Sequence, residues 1–207
     1  MKYFPDTNKY SLREFTSEYI SMIKEVFDSL EEEVLEDIFQ TLESAIRSKK
    51  TIYTCGNGGS SSIAEHLVCD FIKGASTDSE IDPKVVPLLT TPVITAIGND
   101  IGYEEIFSYQ VKKYASKGDV LLCVSSSGNS PNILKAIEVA KEKGMLTLSF
   151  VGFAGGKARE VSDFCLHINS SNYGVVEDSH HILMHIFAQY LRLRYIDDKD
   201  KLGQLKF

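Results

Sequence analysis

The run GDVLLCVSSSGNSPNILKAIEVAKEKG, residues 118–144, reads as one strand, one loop and one helix. Val120–Val124 is a short unbroken apolar run, the pattern of a strand buried on both faces. Ser125-Ser126-Ser127-Gly128-Asn129-Ser130 follows, built of small polar residues that favour turns. Pro131 then stands at the first helical position behind a serine N-cap, where proline is favoured, and the helix is expected to run to Lys143. The run TIYTCGNGGSSSIAEHLVCDFIK, residues 51–73, has the same plan: strand Thr51–Cys55, loop Gly56-Asn57-Gly58-Gly59-Ser60-Ser61-Ser62, and a helix over Ser61–Lys73.

Working outward, further strands are expected at Val85–Leu89, Leu146–Val151 and Phe164–Ile168, with helices over Pro92–Asn99, Tyr103–Ser116, Pro131–Lys143, Gly155–Val161 and Val175–Tyr195. Strands that alternate with helices pair in parallel, so the fold class is α/β: a five-stranded parallel sheet flanked by helices. Ahead of it, Phe15, Tyr19, Ile23, Val26, Phe27 and Leu30, then Val34, Leu35, Ile38, Phe39, Leu42 and Ile46, fall at helical spacing. Ser29 with Glu32 has the spacing of a capping box and divides this region into two amphipathic N-terminal helices. Their apolar stripes call for cover, from the same chain or from a second copy in an oligomer. With no repeat or long linker, the 207 residues are read as one domain, 1–50 the leading helices and 51–200 the α/β core.

At 43% hydrophobic and 25% charged residues the composition is that of a globular protein, and a formal charge of −7 weighs against a general nucleic-acid binder. No apolar run approaches the ~20 residues a bilayer crossing takes, so no membrane partner is expected. Met1 to Tyr10 is polar, without the apolar core of an export signal. Cys55, Cys69, Cys123 and Cys165 show no CxxC spacing and are read as reduced, buried thiols, as is usual in cytoplasmic proteins, so a cytoplasmic location is expected.

Ligands of open parallel sheets bind beyond the carboxyl ends of the strands, where both serine and glycine loops lie. Each loop opens a helix, whose first N–H groups and partial positive charge attract an anion. One such loop is as often a plain capped turn; two of them favour a phosphate monoester. The first loop lacks the third glycine of GxGxxG and no acidic residue closes a second strand ~20 residues on, against a dinucleotide site; no GxxxxGK[ST] occurs, which excludes a P-loop. His66 and Asp70 lie four apart on the first helix, and on the closing helix His181 and His185 are four apart with Glu177 one turn before. Such residues suit a divalent metal, as in zinc or nickel sites, or an acid/base pair without one.

Three runs, CGNGGS (55–60), TAIGNDIGY (95–103) and GDVLLCVSSSGNS (118–130), resemble the sugar isomerase (SIS) domain proteins, and among them the phosphoheptose isomerases, over nearly the whole chain. The resemblance implies a flavodoxin-like SIS fold and an aldose–ketose isomerase acting on sedoheptulose 7-phosphate or a related sugar phosphate through an enediol(ate), in the making of heptose precursors of surface polysaccharides. It implies a homotetramer with the N-terminal helices in a central bundle and sites shared between subunits. It assigns Asn57, Gly59, Ser60, Ser125, Ser126, Ser127 and Ser130 to phosphate and hydroxyl binding, and places Asp100 near the substrate. It assigns a zinc site and the acid/base work to the positions of His66, Asp70, Glu177 and His185. Among these, we expect Asp70 and His185 to carry the protons and His66 and Glu177 to be metal ligands or positioning groups, with Glu177 also facing substrate. Two of these positions depart from the pattern: Asp70 stands where the group has Glu, and Glu177 where it has Gln. His167, His180 and His181 are read as ordinary core or surface residues and not as ligands, and Glu65 as pointing off the shared face. The group also includes a replication-initiation partner without acid/base residues, so a non-catalytic sugar-phosphate-binding protein is the alternative.

Overall fold

The computed structural model describes residues 11–202; the polar segment Met1–Tyr10 lies outside the described residues. Five parallel strands, β1 (Thr51–Gly56), β2 (Lys84–Pro87), β3 (Val120–Ser125), β4 (Leu146–Val151) and β5 (Phe164–His167), form one sheet in the order β2-β1-β3-β4-β5. Every residue of β3 is buried, as its apolar run predicts for a central strand. Cys55 pairs with Cys123 across β1 and β3, and their sulfurs lie 3.4 Å apart as free thiols. Their mutual hydrogen bond and burial hold the Cys55 thiol in its protonated form. The expectation of buried thiols is met by these two; Cys165 is half-buried and Cys69 is exposed, because it faces outward at the end of its helix.

The helices are α1 (Leu12–Asp28), α2 (Glu32–Arg47), α3 (Gly59–Cys69), α4 (Thr91–Asp100), α5 (Ser108–Tyr114), α6 (Pro131–Glu142), α7 (Gly156–Val161) and α8 (Tyr173–Tyr195). The crossover through α3 carries the chain from β1 outward to β2, and that through α6 carries it from β3 the other way to β4. Right-handed crossovers in opposite directions place α3 and α6 on opposite faces of the sheet. The strand order reverses between β1 and β3, and the two serine and glycine loops leave the sheet at that switch point.

Two helices do precede the core, but Ser29 is not a capping residue of the second. It closes α1, its hydroxyl donating to the Val26 carbonyl, and α2 begins behind Glu31 with no side-chain cap. The reciprocal box lies instead at the start of α1, between Ser11 and Glu14. Helix α2 buries Ile38, Phe39, Leu42, Ala45 and Ile46 within the chain's own core, roughly 1.5–3 kcal/mol for each large side chain. Helix α1 buries only Met22 and Val26 and leaves Leu12 and Ile20 exposed. The helix expected over 103–116 is broken: Gly102, at φ 149, admits only a short 3-10 turn, Tyr103–Glu105, before α5. The helix expected over 61–73 is α-helical to Cys69 and then widens into a π-helix, Asp70–Ala75. Among the described residues no helix is long and apolar enough to cross a membrane.

Candidate active site

The loop after β1 and the loop after β3 are tied together by an amide pair. Asn57 Nδ2 donates to Asn132 Oδ1 at 2.9 Å, and Asn132 Nδ2 donates back to Asn57 Oδ1 at 2.8 Å. Asn132, in the first turn of α6, is almost fully buried and its Oδ1 also accepts the Ile133 N–H. The Tyr103 hydroxyl donates to the same Asn57 Oδ1 at 3.1 Å. Both lone-pair directions of that oxygen are thereby used, and one N–H of Asn57 is left for a ligand. Asn57 meets a substrate as a donor only.

The second loop is fixed from behind. The Gly152 N–H donates to the Ser126 carbonyl, Ala158 N–H to the Gly128 carbonyl and Lys157 N–H to Asn129 Oδ1. Ser125 and Ser126 are buried, and Ser126 Oγ has no hydrogen-bond partner. Ser127 is exposed, with its Oγ accepting the Asn129 N–H. Ser130 stands at the N-cap of α6, where its carbonyl accepts the Ile133 and Leu134 N–H groups while its hydroxyl makes no cap bond to the helix. Ser60, in the first turn of α3, is buried. These hydroxyls, with the starts of α3 and α6, make a donor-rich rim of the kind that takes an anion.

Beside this rim, α3 and α8 pack together and present the titratable cluster. His66 Nδ1 lies 2.7 Å from His181 Nε2, and His66 Nε2 lies 3.4 Å from Asp70 Oδ1. His185 Nε2 lies 3.4 Å from Asp70 Oδ2, which is buried and accepts no hydrogen bond. The His181 and His185 rings stack, with centroids 5.1 Å apart, and His66 meets both edge-on. Burial, then the neighbouring His66 and His185, push the His181 imidazole below its usual value. Among the described residues the group able to hold a metal ion is His66, His181 and His185, with ligand atoms within 4.8 Å of one another. His181, expected from the sequence to be an ordinary core or surface residue, therefore belongs to the cluster.

Glu177 does not. Its carboxylate packs against Gly59 at the start of α3, so close that a Cβ on Gly59 would collide with both oxygens. Tyr173 bonds to the same carboxylate, which raises the phenol's pKa. Gly59 thus serves the first loop by admitting the Glu177 side chain. Asp100 is exposed at the end of α4, where its Oδ1 accepts from Asn99 Nδ2 at 2.7 Å; among the described residues no hydrogen bond or ion pair joins it to the cluster. His180 is buried against Phe150, its Nε2 donating to the Val151 carbonyl, and burial pushes it down to about 4. His167 donates from Nε2 to the Phe153 carbonyl, and Glu65 is exposed. Asn132, Tyr103 and Tyr173 were missed by the sequence reading. Asn132 had a signal, its place in the first turn after the second loop, and Tyr103 ends the TAIGNDIGY run.

A family profile described as the SIS domain matches residues 14–152. A phosphoheptose isomerase of Aneurinibacillus thermoaerophilus is 36% identical over 161 residues, 76% of this chain and 81% of that protein. The structure of a phosphoheptose isomerase from Francisella tularensis superposes with a TM-score of 0.81 at 25% identity, covering 88% of this chain and 96% of that one. One from Neisseria gonorrhoeae gives 0.79 at 28% identity, covering 87% and 96%.

Proposed function

We infer that this chain, which belongs to the SIS-domain family and within it stands with the phosphoheptose isomerases, is an aldose–ketose isomerase of a sugar phosphate. The substrate we propose is sedoheptulose 7-phosphate or a near relative, converted in the supply of heptose precursors by a cytoplasmic homotetramer. The observation that carries the mechanism is Asp70: a buried carboxylate oxygen, uncommitted by any hydrogen bond, between two histidines.

Isomerisation removes a proton from C1 of the ketose, forms an enediol(ate), and returns a proton to C2, while the oxygens exchange theirs. A phosphate held by Ser60, Ser125, Ser126, Ser127 and Ser130 anchors the far end of the sugar and fixes the reacting carbons. Asn57 gives a hydroxyl its one remaining N–H, and Glu177 accepts from another. Asp70 is the base that takes the carbon-bound proton and gives it back. His66 and His185 hold that carboxylate from either side, and His185 faces the substrate oxygens as a donor in the metal-free protein. The cluster also fits a divalent metal such as zinc: it offers imidazole nitrogens and a carboxylate oxygen without a partner. When bound, such an ion would polarise the sugar oxygens as a Lewis acid.

The test is conversion of sedoheptulose 7-phosphate to the aldose phosphate by wild type, His185→Ala and Asp70→Asn. Wild type should convert it and Asp70→Asn should not. Full activity in both variants would refute the assignment, and tight phosphate-dependent binding without conversion by wild type would favour the non-catalytic reading.

A further inference from the structure

We propose that Asn132 is a positioning residue of this site: it sets which end of the Asn57 amide meets the sugar phosphate, so that Asn57 offers an N–H and not its carbonyl. The proposal rests on the isomerase reading for the identity of the ligand; the orientation of Asn57 follows from the chain alone.

The two ends of a side-chain amide have nearly the same shape, so only neighbours that cannot themselves reverse fix its orientation. Asn57 follows the last residue of β1, and its side-chain partners are Tyr103 and Asn132. A tyrosine hydroxyl donates or accepts, so Tyr103 could serve either end of the amide. Asn132 has no such freedom. Its Oδ1 lies 2.9 Å from the Ile133 N–H, which it shares with the Ser130 carbonyl, and a backbone N–H only donates. Turning the Asn132 amide over would set its NH₂ against that N–H at a buried position, where an unmet donor is costly. With Asn132 fixed, both bonds of the pair are fixed: Asn57 Nδ2 donates to Asn132 Oδ1, and Asn132 Nδ2 donates to Asn57 Oδ1. Orientation passes from the backbone of α6 to Asn132, and from Asn132 to Asn57.

The partner of Asn57 must therefore be an acceptor, a sugar or phosphate oxygen. A reversed Asn57 would turn its carbonyl on such oxygens, which carry negative charge in the phosphate and gain it in the enediolate. At 1% exposure Asn132 is closed off from the ligand, so it acts through Asn57 and not by touching the sugar phosphate.

Binding and conversion of sedoheptulose 7-phosphate are measured on the full-length protein between about pH 5 and 8, with circular dichroism to check the fold of each variant. Asn132→Ala should raise Kd and KM about 5- to 10-fold, and Asn57→Ala about 10-fold. The double variant should cost no more than Asn57→Ala alone, because Asn132 has no other route to the ligand. Costs that multiply, to about 50-fold or more, would overturn the proposal. Asn132→Asp keeps the shape of the side chain and tests the donor. Burial and the facing Asn57 carbonyl raise the pKa of an aspartate there. Ionised, it sets an acceptor against Asn57 Oδ1; protonated, it restores a donor. Relative to wild type it should bind about 10-fold more weakly at about pH 8 and recover to within about 2-fold at about pH 5. A ratio constant across that range would overturn the proposal, since a merely structural loss does not titrate. The Asn57 side-chain signals of protein labelled with ¹⁵N-asparagine give a readout without ligand. They should move with pH in Asn132→Asp and stay in place in wild type; fixed signals in both would sink the proposal. No binding and no conversion by wild type, with the signals moving as expected, would sink the isomerase reading alone.

Discussion

Asp70 carries one methylene less than the glutamate of the phosphoheptose isomerase pattern, and the backbone beneath it differs from a plain helix. It opens the π-helix Asp70–Ala75, and π-turns recur at functional sites because they re-aim a side chain. From that position it reaches His66 and His185 with one oxygen each. Asp70→Asn keeps the shape and removes the base, so kcat should fall by about 10²–10⁴ with KM little changed, as measured by steady-state conversion. Tyr103 acts through Asn57: Tyr103→Phe deletes one hydrogen bond to Oδ1, worth about 1 kcal/mol. KM should rise by roughly 3- to 10-fold with kcat near wild type, whereas equal kcat and KM in both proteins would deny Tyr103 its positioning role. The spacing of His66 with Asp70 and of His181 with His185 was legible, because side chains four apart share a helix face. That His181 joins the cluster was not, since it depends on how α3 crosses α8. The Asn57–Asn132 pair joins residues 75 apart, and no local pattern announces it.

At the scale of elements, α8 turns one face inward with Leu183, Met184, Phe187 and Leu191, and another toward α3 with His181 and His185. His180 falls on the inward face, where burial pushes its pKa from 6.5 down to about 4. Its folded value lies below its unfolded value. Between about pH 6.5 and 4 the unfolded chain therefore binds a proton that the native protein does not, and stability falls with pH through that window. The full effect is about 3 kcal/mol. In urea unfolding, wild type should lose stability relative to His180→Leu as pH drops from 7 to 4; parallel pH profiles would contradict this. All five strands were legible because short apolar runs between turn signals leave little alternative. The helix ends were not. Ser29 has a capping residue's chemistry, but its hydroxyl finds the Val26 carbonyl behind it, and the same composition serves either end of a helix.

Across the whole molecule, the order β2-β1-β3-β4-β5 explains why two loops 65–70 residues along from one another in sequence share one crevice: they flank the point where the winding reverses. Alternating strands and helices made the parallel sheet legible, and the two loops marked its working edge. What covers the outer surface was not legible in the same way. Exposed Leu12 and Ile20 on α1, with Ile182 and Ile186 on α8, lie on helices that pack together, and this is apolar surface that association would cover. Sedimentation should give a mass of four chains, and Ile20→Asp should shift it toward smaller species; a monomer at all concentrations would remove the shared-site expectation. Proton transfer at adjacent carbons of a sugar phosphate is the step that every role assigned to Asp70, His66 and His185 serves. Proton NMR of sedoheptulose 7-phosphate with the protein in D₂O measures that step. Deuterium should enter at C1 of the ketose and C2 of the aldose with wild type and not with Asp70→Asn; no exchange with wild type, or equal exchange with both, would contradict it.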